Sequence, residues 1–314
     1  MKPYRGRFAP SPTGPLHFGS LVAAVGSYCE ARAHQGEWLL RIEDLDRPRA
    51  APGAQDAILR ALERFGFEWQ GAVMHQSERG AAYLGAAELL QRRGALYPCA
   101  CTRREIADSA LAWEGERVYP GTCRGGLPPG RVARTLRARV TDEDICFCDR
   151  VQGRVCQNLA REVGDFVVRR ADGLFAYQLA VVVDDAEQGI TEVVRGADLL
   201  GSSTRQIHLQ RLLGLATPSY AHLPAAVNAG GEKLSKQTLA PALDPERPVA
   251  ALVAALEFLG QSPPEGLARS TLGELWQWTD ANWDLARVPC LRTLPAAPQW
   301  ADAAKTPAQG NSRS

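Results

Sequence analysis

Within its first 42 residues the chain runs strand, turn, helix, strand, and that order restricts the fold more than any other feature. Residues 4–9 read as a short strand, and Pro10-Ser11-Pro12-Thr13-Gly14-Pro15 is a turn. Leu21, Val25, Tyr28 and Cys29 then recur at helical spacing, with Gly36 as the natural stop. Trp38-Leu39-Leu40-Arg41-Ile42 has the texture of a buried strand. Two strands joined by a long crossover open a parallel sheet, so the expected class is α/β. Helical patterns around 52–66 and 79–93 continue it.

With 314 residues, 45% hydrophobic and 23% charged, the chain has enough length for two domains and a third small one, and it can bury a sizeable core. Disorder and collagen-like repeats are excluded on these values. No apolar run approaches the ~18 residues that span a bilayer, so no membrane partner is expected. Met1-Lys2-Pro3-Tyr4-Arg5-Gly6 runs straight into the first strand without a signal-like stretch, and a cytoplasmic location is expected. No obligate protein partner is evident. The net charge of +1 advertises no polyanionic partner, but its make-up is uneven: 32 cations are Arg and only Lys2, Lys233, Lys236 and Lys305 are Lys.

From Tyr97 to Gly130 the texture changes to Cys, Pro and Gly, which suggests an inserted, metal-stapled subdomain. Strand-like patterns return at 134–140, 166–170 and 176–183. A helix bearing Leu199, Ile207, Leu209 and Leu213 precedes a second Gly-rich loop, Asn228-Ala229-Gly230-Gly231. The 77 residues after Gln237 are first helical (249–259), then carry Trp276, Trp278, Trp283 and Trp300, expected to pack this segment onto the body. The expectation is therefore a Rossmann-like parallel-sheet catalytic domain in two halves (1–96 and 131–243), a zinc-binding insertion (97–130), a helical C-terminal segment (244–300) and a disordered tail (301–314).

Two segments carry the chemistry. Pro10 to Ser20 lies between a strand and a helix, where backbone N–H groups and the helix dipole attract phosphate. Gly14 and Gly19 admit a ligand close to the backbone, and His17 and Ser20 add side-chain donors. Glu232-Lys233-Leu234-Ser235-Lys236-Gln237 holds two of the four lysines; alone it reads as a solvated turn, but a flexible ammonium suits charge that develops on a leaving pyrophosphate.

Taken in order, PSPTGPLHFG and KLSK resemble the HIGH and KMSKS signatures of class I aminoacyl-tRNA synthetases. Arg7 and the run Arg41-Ile42-Glu43-Asp44-Leu45-Asp46 look like the glutamyl branch. The last HIGH position is Ser20 instead of His, so part of the transition-state stabilisation is expected from Lys236.

Cys99-x-Cys101 followed by Tyr119-x3-Cys123 offers three thiolates and a fourth donor, which suits a tetrahedral structural Zn²⁺. Tyr is a poor ligand unless a cation lowers its phenol. Cys146-x-Cys148 with Cys156 is a rival triplet, but 134–148 reads as a strand that puts Cys146 and Cys148 on one face, and buried thiols are the simpler reading there; a disulfide framework is not expected. The Cys-x-Cys…Tyr-x3-Cys arrangement is similar to that of a narrower group, the glutamyl-Q tRNA(Asp) synthetases, over roughly three quarters of the chain, from Arg7 to about Leu243.

That resemblance implies adenylation of L-glutamate by ATP with Mg²⁺, then transfer of glutamate to the queuosine base at the wobble position of tRNA(Asp). It also carries over residue roles. Arg7, Ala9, Ser11, Glu43, Tyr177 and Arg195 correspond to the glutamate contacts. Pro10, Thr13, Gly14, His17, Gly19, Ser20, Lys233, Ser235 and Lys236 correspond to the ATP site, with His17 and Lys236 catalytic. The set is chemically coherent: two Arg forks match two carboxylates, and Glu43 matches the ammonium. For RNA, Arg117, Arg124, Arg131, Arg134, Arg137 and Arg139 fall in a stretch with no acidic residue, which forms either a phosphate-binding patch or the solvent face of a strand and loop.

Three alternatives remain open. An ordinary glutamyl- or glutaminyl-tRNA synthetase would need an anticodon-reading domain for which the last 77 residues leave little room. A zinc-dependent nucleic-acid-binding module and a nucleotidyltransferase of the related HxGH type are the others.

Overall fold

The computed structural model describes residues 3–46, 50–107, 118–234 and 240–301. The expected opening is present: β1 (Arg5–Phe8), α1 (Phe18–Ala33) and β2 (Glu37–Ile42), with α2 (Ala54–Arg64) leading to β3 (Met74–His75). These strands pair in parallel in the order β1-β2-β3. After α3 (Gly80–Arg92) come β4 (Leu96–Cys99), α4 (Arg103–Ala107), β5 (Thr135–Ala138), the hairpin β6 (Asp144–Asp149) and β7 (Gly153–Asn158), α5 (Leu159–Glu162) and β8 (Phe166–Arg169). Then follow α6 (Tyr177–Glu187), β9 (Glu192–Gly196), α7 (Leu200–Leu213), β10 (Ser219–Leu223) and β11 (Ala225–Val227). Finally α8 (Pro248–Phe258), α9 (Leu272–Asn282), β12 (Thr293–Pro295) and α10 (Pro298–Ala301) close the described chain.

A second sheet runs β7-β6-β10-β9, with β6, β10 and β9 parallel. Thr191 N donates to Arg5 O at 3.0 Å and Arg5 N to Thr191 Oγ1 at 2.8 Å, so β9 lies against β1. The parallel strands therefore follow the order β3-β2-β1-β9-β10-β6. Connections leave β1 in one direction and β9 in the other, and ligands of open α/β sheets bind in the crevice that forms outside the carboxyl ends at such a reversal. Arg7 and Arg195 stand on the two strands that flank it.

α1 packs across this junction. Phe18, Leu21, Val22, Val25 and Tyr28 are all buried, each contributing roughly 1.5–3 kcal/mol of apolar burial. A Cβ on Gly26 would lie 2.4 Å from Leu223 Cδ1, so a larger residue there would force the buried Leu223 side chain on β10 to move. The C-terminal tryptophans complete the same core: Trp276 packs edge-on against Tyr28 and Phe67, and Trp300 stacks on Phe18. Trp283 Nε1 donates to Glu30 Oε2 at 2.8 Å while Arg150 Nη2 donates to Glu30 Oε1 at 2.6 Å. Glu30, buried on α1, therefore joins the C-terminal segment to the hairpin. A separate core lies between the antiparallel β4-β5-β8 sheet, α3, α6 and α7, and a third, small cluster holds Tyr97, Cys99, Ala100, Tyr119 and Cys123.

The structure corrects several readings. Within 176–183, residues 177–183 are helical: Val181 and Val182 favour a strand, but packing of α6 on α7 and α3 overrides propensity, and Tyr177 sits at the first helical position. The stretch 134–148 is two strands in different sheets, with residues 139–143 between them. Cys146 and Cys156 are exposed register partners across the hairpin and form a disulfide, with Cα atoms 4.1 Å apart, and Cys148 is an exposed thiol; none of the three is the buried thiol expected. The period-2 pattern put Cys146 and Cys148 on one face correctly, but that face is the outer one. Of the tail expected to be disordered, Ala301 ends α10 and is buried; residues 302–314 lie outside the described residues.

Candidate active site

The Pro/Gly-rich turn delivers His17 to the N-cap of α1. Ser20 N donates to His17 Nδ1 at 3.4 Å, and His17 N donates to Ser20 Oγ at 3.0 Å, a reciprocal capping box. The residue that replaces the second His of the signature thus fixes the ring of the first. Gly14 has φ 151°, a conformation reserved for glycine. Ser11 and Thr13 are exposed on the loop, and Pro10 O accepts from Glu43 N at 3.0 Å, which brings the end of β2 beside it. A cavity of about 220 Å³ lies between them, lined by Ser11, Thr13, Glu43, Asp44 and Asp46.

Ser235 and Lys236 lie outside the described residues. The chain on either side of them is tied to the same loop. Upstream, Leu234 O would be 3.4 Å from a Cβ on Gly19, and Leu234 is buried in the α1 core. Downstream, Ala242 bridges His17, and Leu243 N donates to Leu16 O at 2.9 Å. Lys233 is exposed and forms an ion pair with Asp198.

Charges converge at the carboxyl ends of β1, β2 and β9. Arg7 Nε reaches Asp185 Oδ1 at 3.2 Å, Arg41 Nη1 reaches the same oxygen at 2.8 Å, and Arg41 Nη2 reaches Glu43 Oε1 at 3.4 Å. Burial pushes the Glu43 carboxyl above its ordinary range in spite of Arg41 and Arg7. Burial acts on Asp185 in the same sense, but the two guanidinium groups prevail and hold it below the usual carboxylate value. Arg195, buried, donates from Nη1 to Tyr177 Oη at 3.3 Å. Burial pushes the Tyr177 phenol up. Tyr177 and Asp185 both belong to α6, so Arg195, which bonds the first, and Arg7, which bonds the second, meet the same helix. Ala9 is half-buried just past the end of β1.

Arg41, Asp185, Asp149, His222 and Ser203 were missed from sequence. Arg41 lies within an apolar strand pattern, and Asp185 follows the Val181-Val182-Val183 run that reads as a strand, so neither carries a local signal. His222 Nδ1 lies 2.6 Å from Asp149 Oδ2, Arg195 Nε donates to His222 Nε2 at 3.1 Å, and Arg195 Nη2 donates to Ser203 Oγ at 2.9 Å. Burial lowers the His222 imidazole to about 4, so the ring is neutral near pH 7.

In the third core the Sγ atoms of Cys99, Cys101 and Cys123 lie within 4.8 Å of one another, a group that could hold a metal ion. Cys101 Sγ and Cys123 Sγ are 3.7 Å apart, the edge of a tetrahedron with bonds near ~2.3 Å. Tyr119 Oη lies 3.4 Å from Cys99 Sγ and 3.6 Å from Cys101 Sγ, and accepts from Cys123 N at 2.9 Å. Burial raises the Cys99 thiol, but hydrogen bonds from Tyr119 and Arg137 outweigh it and bring the group to about 7. Arg137 also lies 3.8 Å over the Tyr119 ring. The arginine run is thereby dispersed: Arg137 is buried here, Arg124 pairs with Asp165, Arg131 pairs with Glu105 and Arg139 covers Tyr97. Arg117 lies outside the described residues, and Arg134 is exposed.

The family model "tRNA synthetases class I (E and Q), catalytic domain" matches residues 4–266. The glutamyl-Q tRNA(Asp) synthetase of Aromatoleum aromaticum is 63% identical over 287 residues, 91% of each chain. That of Dechloromonas aromatica is 62% identical over 298 residues, 94% of this chain and 99% of its own. Among solved structures, the glutamate-tRNA synthetase of Elizabethkingia anophelis aligns with a TM-score of 0.78 at 26% identity, covering 95% of this chain and 69% of that one. Matches of this extent identify a class I aminoacyl-tRNA synthetase-like ligase, and the chain belongs to the E and Q catalytic-domain family of class I tRNA synthetases.

Proposed function

We propose that the chain condenses L-glutamate with ATP to glutamyl-adenylate and transfers the glutamyl group to the queuosine base at the wobble position of tRNA(Asp). The observation that carries the first half is the meeting of Arg7, Arg195 and Glu43 at the strand-order reversal, beside the His17 cap. A free acidic amino acid has two carboxylates and one ammonium, and this site presents two guanidinium groups and one carboxylate. Asp185 shares Arg7 and Arg41, which keeps Arg7 in place while its remaining N–H groups serve a substrate carboxylate.

The glutamate α-carboxylate attacks the α-phosphorus of ATP in line and pyrophosphate leaves. Catalysis of this kind rests on positioning and charge stabilisation, with no covalent enzyme intermediate. His17 and the first N–H groups of α1 face the phosphates, with Gly14 and Gly19 leaving room for them. The Ser20 hydroxyl, which accepts from His17 N, keeps its hydrogen for a phosphoryl oxygen. Lys236 follows the departing pyrophosphate. Mg²⁺ would enter with ATP.

The acceptor is read from the names of the relatives, which specify tRNA(Asp). Zn²⁺ is read from the sulfur geometry: Cys99, Cys101 and Cys123 would hold the ion with Tyr119 Oη as fourth donor, and the Arg137 guanidinium would offset their negative charge. The ion would supply a covalent staple for a cluster too small to hold itself together.

Two assays test the proposal. Glutamate-dependent pyrophosphate exchange should proceed without RNA and fall away with glutamine or aspartate. Labelled glutamate transferred to tRNA(Asp) should, after base-specific digestion, map to the wobble nucleotide. Label on the 3′-terminal ribose would favour an ordinary glutamyl-tRNA synthetase, and absence of exchange would remove the adenylation step.

A further inference from the structure

We infer that Asp149, His222 and Ser203 form a positioning relay that presents Arg195 to the amino-acid substrate. The inference rests on the reading of Arg195 as a glutamate contact.

The sheet itself creates the arrangement. His222 on β10 is the register partner of Arg195 on β9, and Asp149 ends β6 on the far side of β10, beside Tyr220. Three adjacent parallel strands thus line up a carboxylate, an imidazole and a guanidinium. α7 covers the row and adds Ser203. All four side chains are buried, with His222 and Ser203 fully inaccessible.

The hydrogen-bond directions leave one assignment. A guanidinium only donates, so His222 Nε2 must accept from Arg195 Nε. The ring proton is therefore on Nδ1 and donates to Asp149 Oδ2 at 2.6 Å. Asp149 is itself fixed, because its Oδ1 accepts from the backbone N–H groups of Val151, Gln152 and His222. Ser203 Oγ accepts from Arg195 Nη2 and lies 3.1 Å from His222 Nε2. Two of the three guanidinium nitrogens are thus held from behind, and Nη1, which bonds Tyr177 Oη, is the one on the substrate side. A long, rotamer-rich side chain is thereby ordered before substrate arrives.

A neutral acceptor suits this position. A carboxylate in place of the imidazole would neutralise Arg195 and compete with the substrate for it. An imidazolium would repel it and could not accept. The relay holds the cation without spending its charge.

The test compares four full-length variants by glutamate-dependent pyrophosphate exchange, with the ATP KM as internal control. His222→Asn keeps a donor where Nδ1 stands but removes the acceptor for Arg195. Its glutamate KM should rise roughly ten- to hundred-fold, the loss expected for a hydrogen bond to a charged group, while the ATP KM moves less than about twofold. His222→Gln restores an acceptor near the Nε2 position and should recover much of the glutamate KM. Ser203→Ala removes one weaker contact and should cost about two- to tenfold; it decides the matter alone if the His222 variants do not fold. Arg195→Ala separates the two readings. If it raises the glutamate KM while His222→Asn and Ser203→Ala leave it within about twofold, the relay is refuted and the substrate pocket stands. If Arg195→Ala leaves the KM unchanged, the pocket reading falls and the relay with it. A parallel rise in the ATP and glutamate KM values of His222→Asn would mark a general structural role and also refute the relay.

Discussion

Leu243 N donates to Leu16 O at 2.9 Å, so the chain leaving the KLSK segment is hydrogen-bonded to the residue that precedes His17. With Leu234 O against Gly19 on the other side, the chain on both sides of residues 235–239 is held to the turn that carries His17. Lys236→Ala should lower kcat for pyrophosphate exchange by ~10²–10³ and change the glutamate KM far less, because the ammonium acts on charge that exists only as pyrophosphate departs. Single-turnover measurement of adenylate formation is the check.

Glu43 gives a pH signature. Burial raises its carboxyl above the ordinary range, and the ionised form is the one that holds an ammonium. As the pH falls through that raised value the carboxylate takes up a proton and glutamate binding weakens. The acid limb of kcat/KM for glutamate should therefore lie above the usual glutamic acid range and disappear in Glu43→Gln, whose kcat/KM is low throughout.

His222 sets acid stability. Its folded value of about 4 lies below the unfolded value of 6.5, so between these limits only the unfolded chain binds the proton. The contribution of this group should be complete above pH 6.5 and decline as the pH drops toward 4, by up to about 3 kcal/mol. Denaturant unfolding at stepped pH should show that slope in the parent and a reduced one in His222→Gln.

Arg137 should govern metal retention. Its Nε lies 3.2 Å from Cys99 Sγ and its guanidinium covers the Tyr119 ring. Arg137→Ala should weaken zinc binding about 10–100-fold, whereas Cys101→Ser should abolish it. Competition with a chromogenic chelator reads both, and thermal unfolding should show a lower Tm for each in proportion to the metal lost.

The sequence was legible where local pattern and tertiary role agree. The first strand, turn, helix and second strand came from periodicity and turn chemistry, and the three thiols came from their spacing. It was less legible where long-range packing decides. Val181 and Val182 suggest a strand until α7 and α3 are placed beside them. Asp185 and Arg7 are 178 residues apart and His222 and Asp149 are 73 apart, so no local window joins either pair. Cys146 and Cys148 illustrate a third case: alternation puts them on one face but cannot say which side of the hairpin meets solvent. The surroundings of the arginine run were illegible for a related reason, since the burial of Arg137 beside the cysteine cluster and the ion pair of Arg131 are invisible in a charge count.

Glu30 bears on where the enzyme can be cut. Its two oxygens are claimed by Trp283 from the C-terminal segment and by Arg150 from the hairpin turn, while its own helix carries the His17 cap at the opposite end. A chain shortened before Trp283 would strip Glu30 Oε2 of its indole donor and uncover that face of α1, the same helix that aims His17. The tryptophan-bearing segment is a keystone of the catalytic body, and minimal versions of this enzyme should be sought by trimming elsewhere.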